Sequence, residues 1–247
     1  MSELRFLPNP ANYGVVWFKR DLRSSDHAAL CVAAQRGPVL CLYIVEPSLW
    51  MAPDAANQHY QFILESLREL YRALRRLGGQ LHLVTGEVVD VLDRLHAMAP
   101  FQGLYAHEET GNALSFQRDI AVGRWCRAHG VSWQEFPQFG VIRHLKNRNL
   151  WQSAWDQHVA QPCRPEPSGM SFAALPWVAE APPGPEQLGL RPFKPPQRQM
   201  GGRQQGLENL HDFLVDGSDS HDPGEITRSP SATPADGRGC GAGASTP

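Results

Sequence analysis

Long apolar runs are missing from this sequence. No stretch approaches the roughly 20 consecutive apolar residues that a membrane-spanning helix requires. The amino terminus also lacks the short apolar segment of a secretory signal peptide. Both absences argue against a membrane or secreted protein, so we expect a cytoplasmic chain with no membrane partner.

The chain has little net charge and few cysteines. Its formal charge is −2 and its isoelectric point is near 6.5, so no overall basic field for nucleic acid stands out. The five cysteines are widely spaced, which predicts reduced, mostly buried thiols rather than a disulfide framework. The histidines considered as metal ligands share no ligand spacing, so we expect no metal site. They are His82, His96, His129, His144 and His158.

Two phosphate-binding motifs of α/β proteins are also missing. No G-x-G-x-x-G segment follows the first apolar run, and no G-x-x-x-x-G-K-[ST] segment occurs anywhere. Because such glycine-rich loops supply the backbone N–H groups that hold phosphates, their absence argues against an enzyme of dinucleotides or nucleoside triphosphates.

Short apolar runs alternate with segments of helical periodicity. The predicted strands are 13–18, 39–45, 81–85, 104–107 and 131–136, and the predicted helices are 28–35, 60–77, 88–98, 112–129 and 149–159. The clearest helix carries one apolar stripe that includes Leu67, Tyr71 and Leu74. Because parallel strands need crossover connections, usually helices, the pattern predicts an α/β fold. We expect a Rossmann-like, doubly wound, five-stranded parallel sheet.

The composition changes after residue 160. Residues 161–200 are rich in proline and show little periodicity, which predicts a linker or an extended wrap. A short helix is predicted at 202–215. Residues 216–247 contain no Phe, Tyr or Trp and only Ile226 among the larger aliphatic residues. Because this segment cannot bury enough apolar surface to offset the entropy of ordering, we predict a disordered tail.

Charged residues cluster directly after the first predicted strand. They are Lys19, Arg20, Asp21 and Arg23. Open α/β sheets bind ligands at the carboxyl ends of their strands, which favours a binding site here. The alternative is that Asp21 pairs with an arginine and that Asp26 caps the following helix. The residues alone leave both interpretations open.

The whole segment VVWFKRDLRSSDHAAL, residues 15–30, resembles the opening signature of DNA photolyases and cryptochromes. In that signature a strand ends in W-F-[RK]-[RK]-D-L-R, and D-[NH] and a leucine follow. The resemblance continues through LYIVEPSLW at 42–50, the segment 104–122 and GGRQQGLENLHDFL at 201–214. It therefore covers about residues 13–215.

The resemblance implies how the chain is divided. The parts are an α/β domain at 13–160, an inter-domain linker at 161–200, the start of the helical FAD-binding domain at 201–215 and a disordered tail at 216–247, which a frameshift would explain. In the family, the helical domain binds FAD and presents the DNA-binding face. Because most of that domain is missing from this sequence, we expect no FAD binding, no DNA partner and no catalytic residue here.

In this family the α/β domain often binds an antenna chromophore, a folate or a deazaflavin. The resemblance therefore implies a small-molecule slot with an apolar wall and a few orienting polar groups. The candidate cofactor-binding residues follow the predicted strands and are Lys19, Arg20, Glu46, Trp50, His107, Glu108, Glu109 and Asn112. Arg20, Asp21 and Arg23 are the candidates for contact with the helical domain.

Several candidates have simpler alternatives. Trp50 would serve equally well as the cover of a loop, and Asn112 as a helix N-cap. Adjacent acids in a loop are often just solvated, although Glu109 is favoured over Glu108 as an acceptor for ring N–H groups.

A basic cluster precedes the last predicted helix of the α/β domain, and two tryptophans lie in that helix. The cluster consists of Arg143, His144, Lys146 and Arg148, which are able to contact phosphates but also suit a solvated loop. Trp151 and Trp155 are four residues apart, which places both rings on one helical face in a core or domain contact.

The family role is light-driven repair of UV-induced pyrimidine dimers or blue-light sensing, both through FAD. We expect this chain to keep antenna binding without that chemistry. The alternatives are an interaction or scaffold domain without a chromophore and an inactive gene fragment.

Overall fold

The computed structural model describes residues 6–8, 12–138, 140–143, 145–175, 180–192, 195 and 198–215. The strands are β1 (Phe6–Pro8), β2 (Gly14–Phe18), β3 (Val39–Val45), β4 (Leu81–Thr85), β5 (Gly103–His107), β6 (Ser132–Phe136) and β7 (Phe172–Ala174). The helices are α1 (Ala28–Arg36), α2 (Pro47–Trp50), α3 (Asn57–Arg76), α4 (Val88–Met98), α5 (Ala113–Ala128), α6 (Trp151–Val159) and α7 (Arg203–Val215), with 3-10 turns at Arg148–Leu150 and Pro185–Leu188. The predicted tail, 216–247, lies outside the described residues.

The centre of the molecule is a parallel sheet with the strand order β4-β3-β2-β5-β6. These are the five strands that the sequence predicts, and the α/β fold class is confirmed. Two three-residue strands that the sequence does not predict extend the sheet. β7 pairs with β1 and touches the start of β3 through Phe172 and Val39.

Both faces of the sheet are buried, as doubly wound folds require. Along β2, Val15 and Trp17 enter the hydrophobic core that α4 and α5 cover. Val16 and Phe18 alternate with them and enter the core that α1 and α3 cover. This period of two follows from strand geometry, and it explains why the predicted strands are apolar throughout.

The apolar stripe predicted for the long helix α3 is wrong at one residue. Tyr60, Leu67, Leu70 and Leu74 are buried, as the spacing predicts. Tyr71 is 46% exposed. It stands at the edge of the stripe, one position after Leu70, so its ring leaves the core toward solvent.

The proline-rich segment after α6 packs onto the α/β domain. Met170 and Phe172 are buried around β7, and Leu188 and Leu190 are buried at the second 3-10 turn. These four side chains join the core on the α1 and α3 side of the sheet. Of the two predicted alternatives, the described residues therefore match the extended wrap.

Three side chains of α3 hold the start of α7, and we call them the α3 anchor: Glu65, Ser66 and Glu69. Glu65 accepts the N–H of Gly201 at 2.7 Å, and Ser66 Oγ accepts the N–H of Gly202 at 3.0 Å. Glu69 accepts the N–H of Gln204 at 3.0 Å. The first N–H groups of a helix have no acceptor within the helix. In α7, Glu69 of the anchor is the acceptor for one of these groups, the N–H of Gln204.

The cysteines are free thiols in the described part of the chain. Cys41 and Cys126 are buried as predicted, Cys31 is half-buried, and Cys163 is exposed, contrary to the expectation of mostly buried thiols. No helix among the described residues is both long and apolar enough to cross a membrane. The described residues fall into two units, one that ends at Gly206 and one that begins at Leu207.

Candidate functional site

Charged side chains meet at the carboxyl edge of the parallel sheet. Lys19 and Arg20 follow β2, Glu46 follows β3, and Glu109 follows β5 by one residue. Because all of these strands are parallel, their carboxyl ends lie at one edge. The structure therefore brings together four of the predicted cofactor-binding residues.

Arg118 of α5 is the centre of this site. Its guanidinium donates to Glu46 Oε1 at 2.9 Å, to Glu109 Oε2 at 2.5 Å and to Asp119 Oδ1 at 2.9 Å. The guanidinium carbon also lies 4.8 Å from the centre of the Trp17 ring, a cation–π distance. All five side chains are buried. One cation thus binds acids from two loops and from its own helix.

Lys19 is the second buried cation. Its Nζ lies 3.3 Å from Asp119 and 3.6 Å from Glu135, which belongs to β6. The same ammonium group lies 4.9 Å from the centre of the Trp17 ring. Lys19 and Arg118 therefore share both an acid, Asp119, and an aromatic ring.

Two further arginines, Arg20 and Arg143, bind acids of this site from its solvent-exposed side. Arg20 is 64% exposed, and its Nε lies 2.8 Å from Glu109. Arg143 donates to Asp119 at 3.1 Å and to Glu135 at 3.2 Å, and it lies 3.9 Å from Glu108. We call the whole set the edge network: Lys19, Arg20, Glu46, Glu108, Glu109, Arg118, Asp119, Glu135 and Arg143. It contains five acids and four cations.

Burial raises the pKa of two of these acids. Desolvation raises the pKa of Glu46 to about 7, against the opposing effect of the Arg118 guanidinium. Desolvation also raises the pKa of Glu135. Near neutral pH, the Glu46 carboxyl is therefore able both to donate and to accept a hydrogen bond.

A second buried cluster lies beside the network, where β2 and β5 end. Asp21 Oδ2 lies 2.6 Å from Nδ1 of His107 and 2.8 Å from Nε2 of His27, and Oδ1 accepts the backbone N–H of Lys19 at 2.7 Å. Burial disfavours the Asp21 carboxylate, but the two histidines hold its pKa well below the usual range. Asp21 pairs with histidines, so the predicted pairing with an arginine is wrong.

His27 is the N-cap of α1. Its Nδ1 accepts the backbone N–H of Leu30 at 3.0 Å. The suggestion that Asp26 caps this helix is therefore wrong. Asp26 has a φ of 50° and its carboxylate accepts the N–H of Arg164 instead.

Asp21, His27 and His107 are also a possible set of metal ligands, since their donor atoms lie within 4.8 Å of one another. The tautomer of His27 argues for hydrogen bonds instead. Because Nδ1 accepts an N–H, the neutral ring carries its proton on Nε2, which faces Asp21, although that N–H is imperfectly aligned. A metal-bound histidine usually donates its other N–H, which His27 does not.

The remaining predicted residues lie outside the centre of the network. Asn112 is the N-cap of α5, as one alternative proposed, and its amide also donates to Asp54 at 2.9 Å. Trp50 packs edge-on against Tyr60 at 4.8 Å. Asp21, a predicted interface residue, is buried inside the α/β domain.

Two cavities lie in the described part of the chain, and one of them is lined by network residues. One of about 340 Å³ is lined by Glu108 and Arg143 together with residues of α6 such as His158. The other, of about 680 Å³, lies between Trp50 and Leu190. Both volumes fall in the range of small-molecule sites.

The comparison with known proteins decides the family. A family model described as DNA photolyase matches residues 14–145, which is more than half of the chain. The chain belongs to the photolyase/cryptochrome family. Cryptochrome-2 of Gallus gallus is 34% identical over 120 residues, covering 47% of this chain and 20% of that protein. Cryptochrome DASH of Oryza sativa is 30% identical over 147 residues, covering 55% and 24%. The chain thus spans a quarter or less of these relatives.

Solved photolyase and cryptochrome structures share the fold. A class III photolyase of Agrobacterium tumefaciens has a TM-score of 0.65 at 22% identity, covering 82% of this chain and 44% of that one. The corresponding values are 0.62, 23%, 82% and 47% for an archaeal photolyase of Sulfolobus tokodaii, a structure with two FAD molecules that implies a novel light-harvesting cofactor. A Synechocystis cryptochrome has a TM-score of 0.68 at 18% identity, covering 84% and 47%.

Sequence reasoning about this photolyase/cryptochrome domain gave no role to Arg118, Asp119 or Glu135. Their signal was weak because α5 shows almost no amphipathic pattern and Glu135 stands in an edge strand. For Arg143 the sequence leaves phosphate contact and a solvated loop open, whereas in the structure Arg143 donates to buried Asp119. Its neighbour His144 lies outside the described residues.

Proposed function

We propose that this α/β domain binds an antenna chromophore, a folate or a deazaflavin, at the edge network. The observation that carries the proposal is the convergence of Glu46 and Glu109 on Arg118 above the buried Trp17 ring. Functional sites are where buried acids acquire shifted pKa values, and Glu46 is such an acid.

Each part of the network has a task in this proposal. Glu109 and Glu46 accept N–H groups from the edge of a heterocycle, and Arg118 fixes both carboxylates in place. Arg20, which is mostly exposed, covers the ring from the solvent side. Trp50, outside the network, supplies an apolar wall of the cavity of about 680 Å³.

The role of the whole protein is proposed from its family. Residues 13–160 form the antenna domain, 161–200 the inter-domain wrap and 201–215 the start of a helical FAD-binding domain. Light-driven DNA repair or blue-light sensing, together with any DNA contact, belongs to that helical domain.

One observation favours a second candidate, an interaction domain without a chromophore. The rings of Trp151 and Trp155 stack at 5.6 Å, yet they remain 40% and 37% exposed. Paired exposed tryptophans are typical of protein interfaces, where their large surface is buried by a partner.

The test is an absorption titration of the purified chain with a reduced folate, a deazaflavin and FAD. We expect a stoichiometric complex with one of the first two. Glu109→Gln should weaken it about tenfold or more, because a buried acceptor of charge-assisted bonds is lost.

Glu186→Gln is the matched control, because Glu186 is exposed at the second 3-10 turn, outside the edge network, and should leave the affinity almost unchanged. Absence of binding by all three compounds would leave the interaction domain as the remaining function. Binding of FAD alone would contradict the assignment to folate or deazaflavin.

A further inference from the structure

Exposed apolar side chains gather around α6. We call them the α6 patch: Val141, Ile142, Leu150, Trp151, Trp155 and Val159. Each is between 37% and 55% exposed. Val141 and Ile142 line the cavity of about 340 Å³ together with Ala154 of α6, so the loop after β6 and the helix share one surface. Single exposed apolar residues are ordinary, whereas a contiguous group that includes two tryptophans is typical of a binding surface.

The two tryptophans are held in fixed positions without being covered. The Nε1–H of Trp151 donates to the carbonyl oxygen of Gly140 at 2.9 Å. The ring of Trp155 lies so close to Gly140 that a Cβ there would clash with it. The two rings stack on each other at an interplanar angle of 18°. Because rigid aromatic side chains lose little conformational entropy on association, this pair is prepared for burial by a partner.

Charge is distributed unevenly along α6. Lys146 and Arg148 are exposed before its first turn, and neither has an ion-pair partner among the described residues. Asp156 is exposed in the last turn, where the helix dipole adds negative charge, and His158 lines the cavity. The patch is therefore basic at one end and negative at the other, and the tryptophans lie between.

These charges are complementary to those of a second copy of the same helix in the antiparallel direction. Lys146 precedes Trp151 by five residues, and α6 ends at its C-cap, Ala160, five residues after Trp155. A two-fold axis midway between the tryptophans therefore places each Lys146 near the carbonyl end of the other helix. Under the same axis, Arg148 lies two residues from the level of the other Asp156, about 3 Å along the helix, which an arginine side chain spans.

Other occupants match these features less well. Residues 216–247 contain no aromatic residue and only Ile226 among the larger aliphatic residues, so that segment has little to pack against the rings. A nucleic acid would meet Lys146 and Arg148, but Asp156 and the carbonyl end of α6 would repel its phosphates. A second copy offers both another tryptophan pair and opposite charges at the required spacing.

We propose that two copies of this chain associate through their α6 patches, with the helices antiparallel about a two-fold axis between Trp151 and Trp155. Each contact then occurs twice, as in other isologous dimers. This association does not depend on ligand binding at the edge network. It names the partner of the interaction domain that is the second candidate function.

Sedimentation equilibrium of the full chain over a range of concentrations measures the association. We expect the mean mass to rise from 27.4 kDa toward twice that value, with a dissociation constant of about 1–100 µM, as for small interfaces. A mass that stays at 27.4 kDa at every concentration overturns the proposal. A monomeric chain that instead binds a fluorescent oligothymidylate also overturns it and assigns the α6 patch to nucleic acid.

Charge reversal shows whether the α6 patch is the interface. Arg148→Glu and Asp156→Arg should each weaken the association about tenfold or more, because each places like charges together twice in the dimer. Both changes suit the dipole of the isolated helix, with an acid near its N-terminus and a base near its C-terminus, so they do not weaken α6 itself. The double variant pairs the exchanged charges again and should recover most of the affinity.

Arg72→Glu is the matched control. Arg72 is exposed on α3, outside the α6 patch, so this change should leave the dissociation constant of the dimer unaltered. Association that survives both α6 reversals, or that the double variant does not recover, contradicts this interface. A monomeric chain that forms a folate or deazaflavin complex refutes the dimer alone, whereas a dimer that binds no chromophore refutes only the antenna proposal.

Discussion

The edge network and the α3 anchor use the same chemistry at different depths. In the network, Arg118 binds Glu46 at 2.9 Å with both side chains buried. At the anchor, Arg198 binds Glu65 through two contacts of 2.5 and 3.0 Å, with both side chains about 18% exposed. The number and length of the bonds would rank the anchor pair as the stronger one.

The pKa shifts of the two glutamates reverse that ranking. Burial raises the pKa of Glu46 to about 7 in spite of Arg118. At the anchor, the hydrogen bond from Arg198 lowers the pKa of Glu65, because desolvation there is small. Both arginines favour the ionised carboxylate, so the depth of burial, rather than bond geometry, decides whether the pKa of the paired glutamate ends above or below its ordinary value.

The largest predicted effect comes from removing the buried guanidinium. Arg118→Gln leaves Glu46, Glu109 and Asp119 without their shared cation, and we expect the free energy of unfolding to fall by about 3–5 kcal/mol. Arg198→Gln is the matched change at the anchor and should cost about 0–1 kcal/mol. Urea-induced unfolding followed by tryptophan fluorescence measures both.

Equal costs for the two arginine substitutions would contradict the comparison. Arg118→Lys provides a second measurement in case the glutamine variant does not fold. Lysine keeps the positive charge, but its ammonium group lacks the planar set of N–H donors with which the Arg118 guanidinium binds three carboxylates. The loss of unfolding free energy in Arg118→Lys should therefore lie between the losses in Arg118→Gln and Arg198→Gln.

The fold was largely readable from the sequence, for a physical reason. Strands buried on both faces are apolar throughout, and the five central strands stand out between helices. β1 and β7 have three residues each and are stabilised by pairing with each other, so no local sequence pattern predicts them. The sequence of residues 161–200 was equally ambiguous, because a proline-rich segment has the same composition whether it packs onto a domain or stays free in solution.

The site was readable only where residues directly follow strands. Lys19, Arg20, Glu46 and Glu109 were placed at one edge by the parallel topology alone. Arg118 was missed because a charged residue in a helix normally suggests a solvated face. His27 was missed as a cap because Asp26, a more favourable capping residue, stands beside it.

A smaller effect concerns the pH dependence of stability. Because the folded pKa of Glu46, about 7, is above its reference value of 4.5, its stabilising contribution is complete below pH 4.5 and is lost as the pH rises through 7. Between pH 4.5 and 8 the unmodified chain should lose about 3 kcal/mol relative to Glu46→Gln. Urea unfolding at a series of pH values gives this difference.

Glu65→Gln is the control for this titration. The pKa of Glu65 is lowered, so its contribution is present above its reference value of 4.5 and is lost only as the pH falls below it. Between pH 5 and 8, a plot of the free energy of unfolding against pH should therefore run parallel for Glu65→Gln and for the unmodified chain. A Glu46→Gln profile that is equally parallel would show that burial does not govern the network.

The smallest effect tests whether close packing at Gly201, rather than charge, holds residues 201–204 against the α3 anchor. At Gly201 a Cβ would clash with the carbonyl oxygen of Phe62 and lie 2.8 Å from Ser66 Oγ. Gly201→Ala should therefore cost about 1–3 kcal/mol locally, and the amides of positions 201, 202 and 204 should exchange hydrogen about tenfold faster or more.

Gly206 of α7 provides the opposite case, because a Cβ there meets nothing within 4 Å. Gly206→Ala should stabilise the helix by about 0.5–1 kcal/mol, since alanine loses less backbone entropy than glycine. Exchange at position 204 should then slow rather than accelerate. If both alanines accelerated exchange alike, the close approach at Gly201 would not be what holds residues 201–204 against α3, and the half-buried ion pair of Glu65 and Arg198 would have to hold them instead.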